Sequence, residues 1–263
     1  SGIEVSAIGM GCWAIRGPFF EGEDDLGWGM VEDQESIRAI HCGIDHGVTF
    51  IDTADVYGAG HSERIIAQAL EGHRHDVILA TKFGLKFDEI SKQVLGVDAS
   101  AEYIQTACEA SLKRLNTDHI DLYQFHLNDF PAAEAGEVLD TLESLVEQGK
   151  IRQFAWSTDF DDRAQTFAKA TNCTAIQHQI NVIDDAPDVI ALCEAQNLAS
   201  INRGPLAMGL LTGKYDASSI IAGDDVRGKN SPAWMQYFQN GKVSDIWLMK
   251  METIREILTS EGR

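Results

Sequence analysis

Short apolar runs rich in β-branched and aromatic residues recur along the chain, at residues 48–52, 77–81, 120–126, 151–157, 174–180 and 198–202. Their apolar residues are nearly contiguous, which is the pattern of strands buried on both faces of a parallel sheet. Helical stripes lie between them. A segment opened by Asp33 and closed by Gly47 carries Ile37, Ile40, Cys42 and Ile44. Ser62 begins a second, with Ile65, Ile66, Ala69 and Leu70 inside and Gly72 behind. Ser100 begins a third, with Ile104, Cys108, Ser111, Leu112 and Leu115 at helical spacing. Val138, Leu139, Leu142, Leu145 and Val146 form a fourth, stopped by Gly149, and Pro187 opens a fifth before Val189, Ile190 and Cys193. Capping residues in front and glycine behind are what helix ends require.

Strand–helix alternation repeated this often, with no long linker, predicts a single α/β domain over residues 1–263. An α/β barrel of about 250 residues and an open doubly wound sheet are the two candidates. With a further first strand at 5–10, the count is seven strands rather than eight. The tail from Ser231 to Arg263 reads as helical, through Ile246, Met249, Ile254, Ile257 and Leu258.

Charge limits the partners. Lys+Arg 21 against Asp+Glu 41 gives a net charge of −20, a field that repels phosphate backbones and anionic headgroups. Nucleic acid and membrane surface are therefore not expected partners, whereas a small anionic ligand can still be held by local donors. No stretch is long and apolar enough for a membrane span. The start, Ser1-Gly2-Ile3-Glu4-Val5, lacks the basic and apolar regions of an export signal. Cys12, Cys42, Cys108, Cys173 and Cys193 share no CxxC spacing and are odd in number. They read as buried reduced thiols of a cytoplasmic protein, with no metal site.

One motif misleads. Gly9-Met10-Gly11-Cys12-Trp13-Ala14 has the G-x-G-x-x-A spacing of a dinucleotide turn, but Arg16-Gly17-Pro18-Phe19-Phe20-Glu21-Gly22 follows where a helix should start. No strand carries the expected acidic residue about 20 positions on. A Rossmann fingerprint is rejected.

In a barrel, chemistry gathers at the C-terminal strand ends. Those ends read Ile51-Asp52 followed by Thr53-Ala54-Asp55-Val56-Tyr57-Gly58, then Ala80-Thr81-Lys82-Phe83-Gly84, then Gln124-Phe125-His126. A tyrosine hydroxyl, with a pKa of about 10, is a poor proton donor at neutral pH, and a neighbouring ammonium favours its phenolate. Tyr57 is thus the candidate general acid, Lys82 its activator and Asp52 the partner of Lys82. His126 can donate to a substrate oxygen. Such a site protonates an oxygen on which negative charge develops, as carbonyl reduction by hydride requires, and the hydride must come from a cofactor. Taken singly, Asp52 reads as a cap, Lys82 as a solvated lysine, Tyr57 as a loop aromatic and His126 as a core histidine. Their placement on consecutive strand ends favours the joint reading.

These residues resemble the aldo-keto reductases. The resemblance is carried by Asp52-Thr53-Ala54-Asp55-Val56-Tyr57-Gly58, Gly60-His61-Ser62-Glu63, Ala80-Thr81-Lys82-Phe83-Gly84, Tyr123-Gln124-Phe125-His126 and Gly204-Pro205-Leu206-Ala207-Met208-Gly209-Leu210-Leu211-Thr212-Gly213-Lys214-Tyr215. It covers essentially the whole chain. It implies a (β/α)8 TIM barrel that binds NADPH without a Rossmann domain and reduces an aldehyde or ketone, with Asp52, Tyr57, Lys82 and His126 as the family's catalytic tetrad. It also implies that Cys12 and Trp13 line the nicotinamide ribose beside Asp52. Ser157, Thr158 and Gln177 hold the carboxamide, Thr158 departing from the family's Asn. Pro205, Leu206, Gly209 and Lys214 belong to the loop over the pyrophosphate. Arg203 and Gly204 stand where the family commonly stacks an aromatic ring on the nicotinamide; a guanidinium there can stack or bind phosphate.

The family continues past Gly262-Arg263 into an eighth strand, a 2′-phosphate loop and a closing helix, so the eighth strand–helix unit is expected to be absent and NADH stays open as the nucleotide. Substrate choice falls to loop residues, for which Trp28, Trp156, Arg227 and Trp234 are the candidates. The acidic segments 21–25, 184–188 and 224–225 read as solvated loops. Two rival readings are a nicotinamide-binding redox sensor resembling potassium-channel β subunits, and a triose-phosphate-type barrel, which lacks a visible general-base Glu motif.

Overall fold

The computed structural model describes residues 2–15 and 17–260. Ser1, Arg16 of the interrupted loop, and the Glu261-Gly262-Arg263 end of the predicted tail lie outside them. Seven parallel strands form one sheet: β1 (Met10–Gly11), β2 (Phe50–Asp52), β3 (Ile78–Phe83), β4 (Ile120–Phe125), β5 (Ile151–Ser157), β6 (Cys173–Gln179) and β7 (Ala199–Arg203). Their spatial order is their chain order. A doubly wound sheet reverses its order at a switch point, so strictly sequential neighbours define the barrel arrangement instead. Among the described residues β1 and β7 are each paired on one side only, and no eighth strand stands between them.

The helices are α1 (Asp33–Asp45), α2 (His61–Ala69), α3 (Ala101–Leu115), α4 (Gly136–Glu147), α5 (Asp161–Phe167), α6 (Pro187–Gln196) and α7 (Asp245–Ser260). The period of two along each strand separates two apolar layers. Ile51, Leu79, Tyr123, Phe154 and Ile176 point outward into the core shared with the helices. Phe50, Ala80, Leu122, Ala155 and Ala175 point inward and fill the barrel. Helix ends follow their chemistry. Ser100 Oγ accepts the Tyr103 N–H at 3.3 Å before α3, and Asn116 closes it with φ 50°. Pro187 sits in the first turn of α6.

Several expectations need correction. The first strand shrinks from 5–10 to Met10–Gly11, because the Ser6 and Thr49 side chains replace the ladder: Ser6 N donates to Thr49 Oγ1 at 2.7 Å and Thr49 N to Ser6 Oγ at 2.9 Å. Helix α2 starts at His61 after a left-handed Gly60; Ser62 lies inside it and bonds Thr53 Oγ1 and the Cys12 carbonyl. In the tail, the helix is confined to Asp245–Ser260. Ahead of it, Phe238–Gln239 pairs with Lys242–Val243 across Asn240-Gly241, both at positive φ, the signature of a two-residue hairpin turn. Cys42 is exposed, whereas the other four cysteines are buried. Asp225 is buried and paired with Arg227, and Asp184 accepts from Gln179, Asn181 and Tyr237, so neither belongs to a solvated loop. The short α5 and the hairpin Leu85–Phe87/Val94–Val97 after β3 are additional to the predicted elements. Residues 13–15, at the end of the rejected glycine motif, form a 3-10 turn and no dinucleotide-binding helix.

Candidate active site

Asp52 ends β2, and the chain leaves it still tied to β3: Thr53 N donates to the Ala80 carbonyl and Asp55 N to the Lys82 carbonyl. Gly58, Ala59 and Gly60 then turn the chain through three consecutive left-handed residues. Gly60 is required twice over, by its φ of 84° and because a Cβ there would lie 2.7 Å from Arg114 Cδ. Tyr57, immediately before this turn, lies at the barrel mouth.

Lys82 is 1% exposed. Its ammonium donates to Asp52 Oδ2 at 2.6 Å and to the Thr53 carbonyl at 2.7 Å. It also shares a hydrogen bond with the Tyr57 hydroxyl and lies 5.1 Å from the centre of that ring. Burial alone would push the ammonium's pKa down, but the charge of Asp52, then Tyr57, outweighs it, and the pKa stands above the ordinary lysine value. Asp52 is held in turn. Its Oδ1 accepts from Gln124 Nε2 at 2.7 Å and Gln177 Nε2 at 2.9 Å, so β2, β3, β4 and β6 all converge on one carboxylate.

His126 follows β4, its N–H donating to the Phe83 carbonyl at 2.8 Å. Its ring meets Tyr57 edge to face, centroids 5.9 Å apart. Burial first, then the charges of Lys82 and Arg203, hold its pKa well below the usual histidine value, so the ring is neutral at pH 7. Its Nδ1 is buried without a hydrogen-bond partner. Trp13 stacks on Tyr57 at 6.1 Å, and Trp28 and Trp234 pack on Trp13 at 5.3 and 6.2 Å.

Asp52, Tyr57, His126 and the three tryptophans face a cleft of about 1,700 Å³ at the C-terminal strand ends and down the barrel, lined also by Cys12, Ser157, Gln177, Arg203, Gly204, Pro205, Leu206 and Gly209. The Cys12 thiol stays protonated, because burial and then the Asp52 charge push its pKa up. Ser157 Oγ donates to Gln177 Oε1 at 3.1 Å. Arg203 pairs with Asp159 at the rim.

Four expected residues sit elsewhere, Arg227 among them, since it packs behind the lining. Thr158 is fully buried with its hydroxyl donated to the Asn128 carbonyl at 2.9 Å, and it is Asn128 and Asp159 that line the cleft there. Lys214 is exposed beyond the lining, its ammonium 5.6 Å from the Tyr215 ring centre. Trp156 packs outside the barrel against Phe125 and Phe167 and donates to the Leu127 carbonyl at 3.0 Å; it supports the His126 segment and contacts no cleft. Gln124 escaped the sequence reading, although it stands two residues before His126 and so on the same inward face.

The chain belongs to the aldo/keto reductase family, whose model matches residues 7–260, and its fold is that family's (β/α)8 barrel architecture. Aldo-keto reductase YhdN of Bacillus subtilis (strain 168) is 36% identical over 231 residues, 86% of this chain and 66% of the relative. The uncharacterized oxidoreductase YqkF of the same strain is 32% identical over 215 residues, 81% of this chain and 65% of the relative. The chain thus spans slightly less than two thirds of the length of these curated relatives. Among solved structures, glycerol dehydrogenase AKR11B4 from Gluconobacter oxydans superposes with a TM-score of 0.77 at 29% identity, over 100% of this chain and 77% of its own. An aldo/keto reductase from Klebsiella pneumoniae in complex with NADP and acetate gives a TM-score of 0.62 at 28% identity, over 80% and 68%. No helix among the described residues is long and apolar enough to cross a membrane.

Proposed function

We propose that this chain is the catalytic unit of an NADPH-dependent oxidoreductase that reduces a small-molecule aldehyde or ketone to an alcohol in the cytoplasm. The observation that carries the proposal is the buried Asp52–Lys82 pair hydrogen-bonded to Tyr57 and facing His126. The cleft fits a nicotinamide nucleotide. It is roomy, its wall presents a buried unpartnered imidazole nitrogen, and Gly204 and Gly209 at its rim take positive φ, which lets backbone approach a ligand closely. Trp13, Ser157, Gln177 and Arg203 would hold the nicotinamide half, and residues 204–206 with Gly209 the phosphates. Bound there, the reduced nicotinamide supplies the hydride that no side chain can.

Tyr57 hands its hydroxyl proton to the carbonyl oxygen. The Lys82 ammonium, kept charged by Asp52, stabilises the phenolate left behind. Neutral His126 orients the carbonyl through a ring N–H, and Trp13, Trp28 and Trp234 exclude water above Tyr57. The test is fluorescence titration with NADPH and with NADH, then a panel of aldehydes and ketones followed at the nicotinamide absorbance band. The proposal expects tight NADPH binding and carbonyl-dependent oxidation. Binding with no turnover on any carbonyl would favour the redox-sensor reading instead.

A further inference from the structure

One guanidinium ties its own neighbour Asp225 to the 208–215 segment, to Phe238 and to the distant Trp28. Arg227 donates through Nε and Nη2 to the two oxygens of Asp225, at 2.8 and 2.7 Å. Its Nη1 donates to the Met208 carbonyl at 3.0 Å and to the Tyr215 hydroxyl at 2.8 Å. Its Cζ lies 4.5 Å from the Trp28 ring centre and 5.5 Å from that of Phe238. The side chain is only 11% exposed and is not part of the cleft lining, but Trp28, Met208 and Gly209 are.

The turn it grips needs holding. Ala207, Met208 and Gly209 run at φ 47°, 55° and 92°, a left-handed stretch that non-glycine residues adopt only when surroundings enforce it. A Cβ on Gly209 would lie 3.0 Å from Arg227 Nη1, so the guanidinium packs directly behind the turn. On its other face Trp28 leads through Trp13 to Tyr57. One cation therefore touches residues of two walls of the cleft.

We propose that Arg227 is a positioning residue for the nucleotide: it fixes the 206–211 turn and the Trp28 wall at the spacing that NADPH requires, without touching it. The inference rests on the nicotinamide-nucleotide reading of the cleft. The measurement is NADPH affinity by fluorescence titration, together with steady-state kinetics, on wild type, Arg227→Ala, Arg227→Lys and Asp225→Asn.

Arg227→Ala is expected to raise the NADPH Kd by about tenfold or more. The KM for NADPH should rise in parallel, while kcat at saturating NADPH stays within about twofold. Arg227→Lys should fail to restore affinity, because an ammonium cannot be bidentate to Asp225 and stack on Trp28 together. Asp225→Asn should weaken binding in the same direction. An Arg227→Ala protein that binds NADPH like wild type overturns the proposal, as does a loss confined to kcat. If Arg227→Ala does not fold, Asp225→Asn with Tyr215→Phe decides, and unchanged affinity in both overturns it. A wild type that binds no NADPH removes the underlying reading along with this inference; a wild type that binds alongside an unaltered Arg227→Ala removes this inference alone.

Discussion

Replacing Asp52 by Asn keeps the shape of the side chain and removes the carboxylate that, among the described residues, pairs with a 1% exposed ammonium. Breaking a buried ion pair from one side leaves an uncompensated charge, at a cost of about 3–5 kcal/mol. For a chain of this size each kcal/mol lowers Tm by roughly 2–4 °C, so Asp52→Asn should melt about 6–20 °C below wild type. The sign of the pH dependence is sharper still. In wild type the Lys82 pKa is raised by Asp52 and Tyr57 against burial, so its contribution is complete below the unfolded value of about 10.4 and lost only as pH rises through the folded one. In Asp52→Asn both contributions of Asp52 are gone, burial outweighs what Tyr57 still supplies, and the folded pKa drops below the ordinary lysine value. The variant should therefore regain stability as pH rises from about 7 to about 10, while wild type does not. Thermal and urea melts across that range measure it. The double variant Asp52→Asn/Lys82→Met, with neither charge, should be more stable than Asp52→Asn by about 1 kcal/mol or more. An Asp52→Asn protein within about 1 kcal/mol of wild type and flat with pH would refute the argument.

Because His126 is held well below its usual pKa by burial, Lys82 and Arg203, kcat/KM should show no limb near pH 6.5, and a limb there that disappears in His126→Gln would contradict it. The same depression means that stability falls as pH drops below the unfolded histidine value of about 6.5, and His126→Gln should lessen that loss in melts at pH 5 to 7. Gly60→Ala places a Cβ 2.7 Å from Arg114 Cδ at φ 84°, and should cost about 1–3 kcal/mol in denaturant titration. In the native protein a thiol-reactive probe should label Cys42 rapidly and the four buried cysteines slowly, because burial also raises the pKa of each of the four; mass spectrometry of the labelled peptides reads this directly.

The strand–helix alternation was legible because each inner strand is buried on both faces, so apolarity itself marks it. The tetrad positions were legible because strand-end polar residues in otherwise apolar runs stand out: Asp52, Lys82 and His126 each follow at least two consecutive buried residues. What escaped had weaker local signals. Helix α5 offers only Ala164 and Phe167 as buried residues, too few for a stripe. Strand β1 is short because two hydroxyl side chains substitute for its ladder, a tertiary fact that no window reveals. Thr158 and Lys214 were placed by resemblance alone. The structure turns the first toward the Asn128 carbonyl and leaves the second outside the cleft, which proximity in the sequence could not decide. Tail residues 231–244 carry aromatic and apolar residues at spacings that mimic a helix, yet the Asn240-Gly241 pair already marked a hairpin.

The central claim is that Tyr57 gives up its proton beside a cation that Asp52 keeps charged, and Tyr57→Phe tests it most directly. The account predicts that this variant loses carbonyl reduction by about 10²-fold or more while its NADPH Kd stays that of wild type. Reduction at an undiminished rate, with Lys82 and Asp52 still in place, would contradict it.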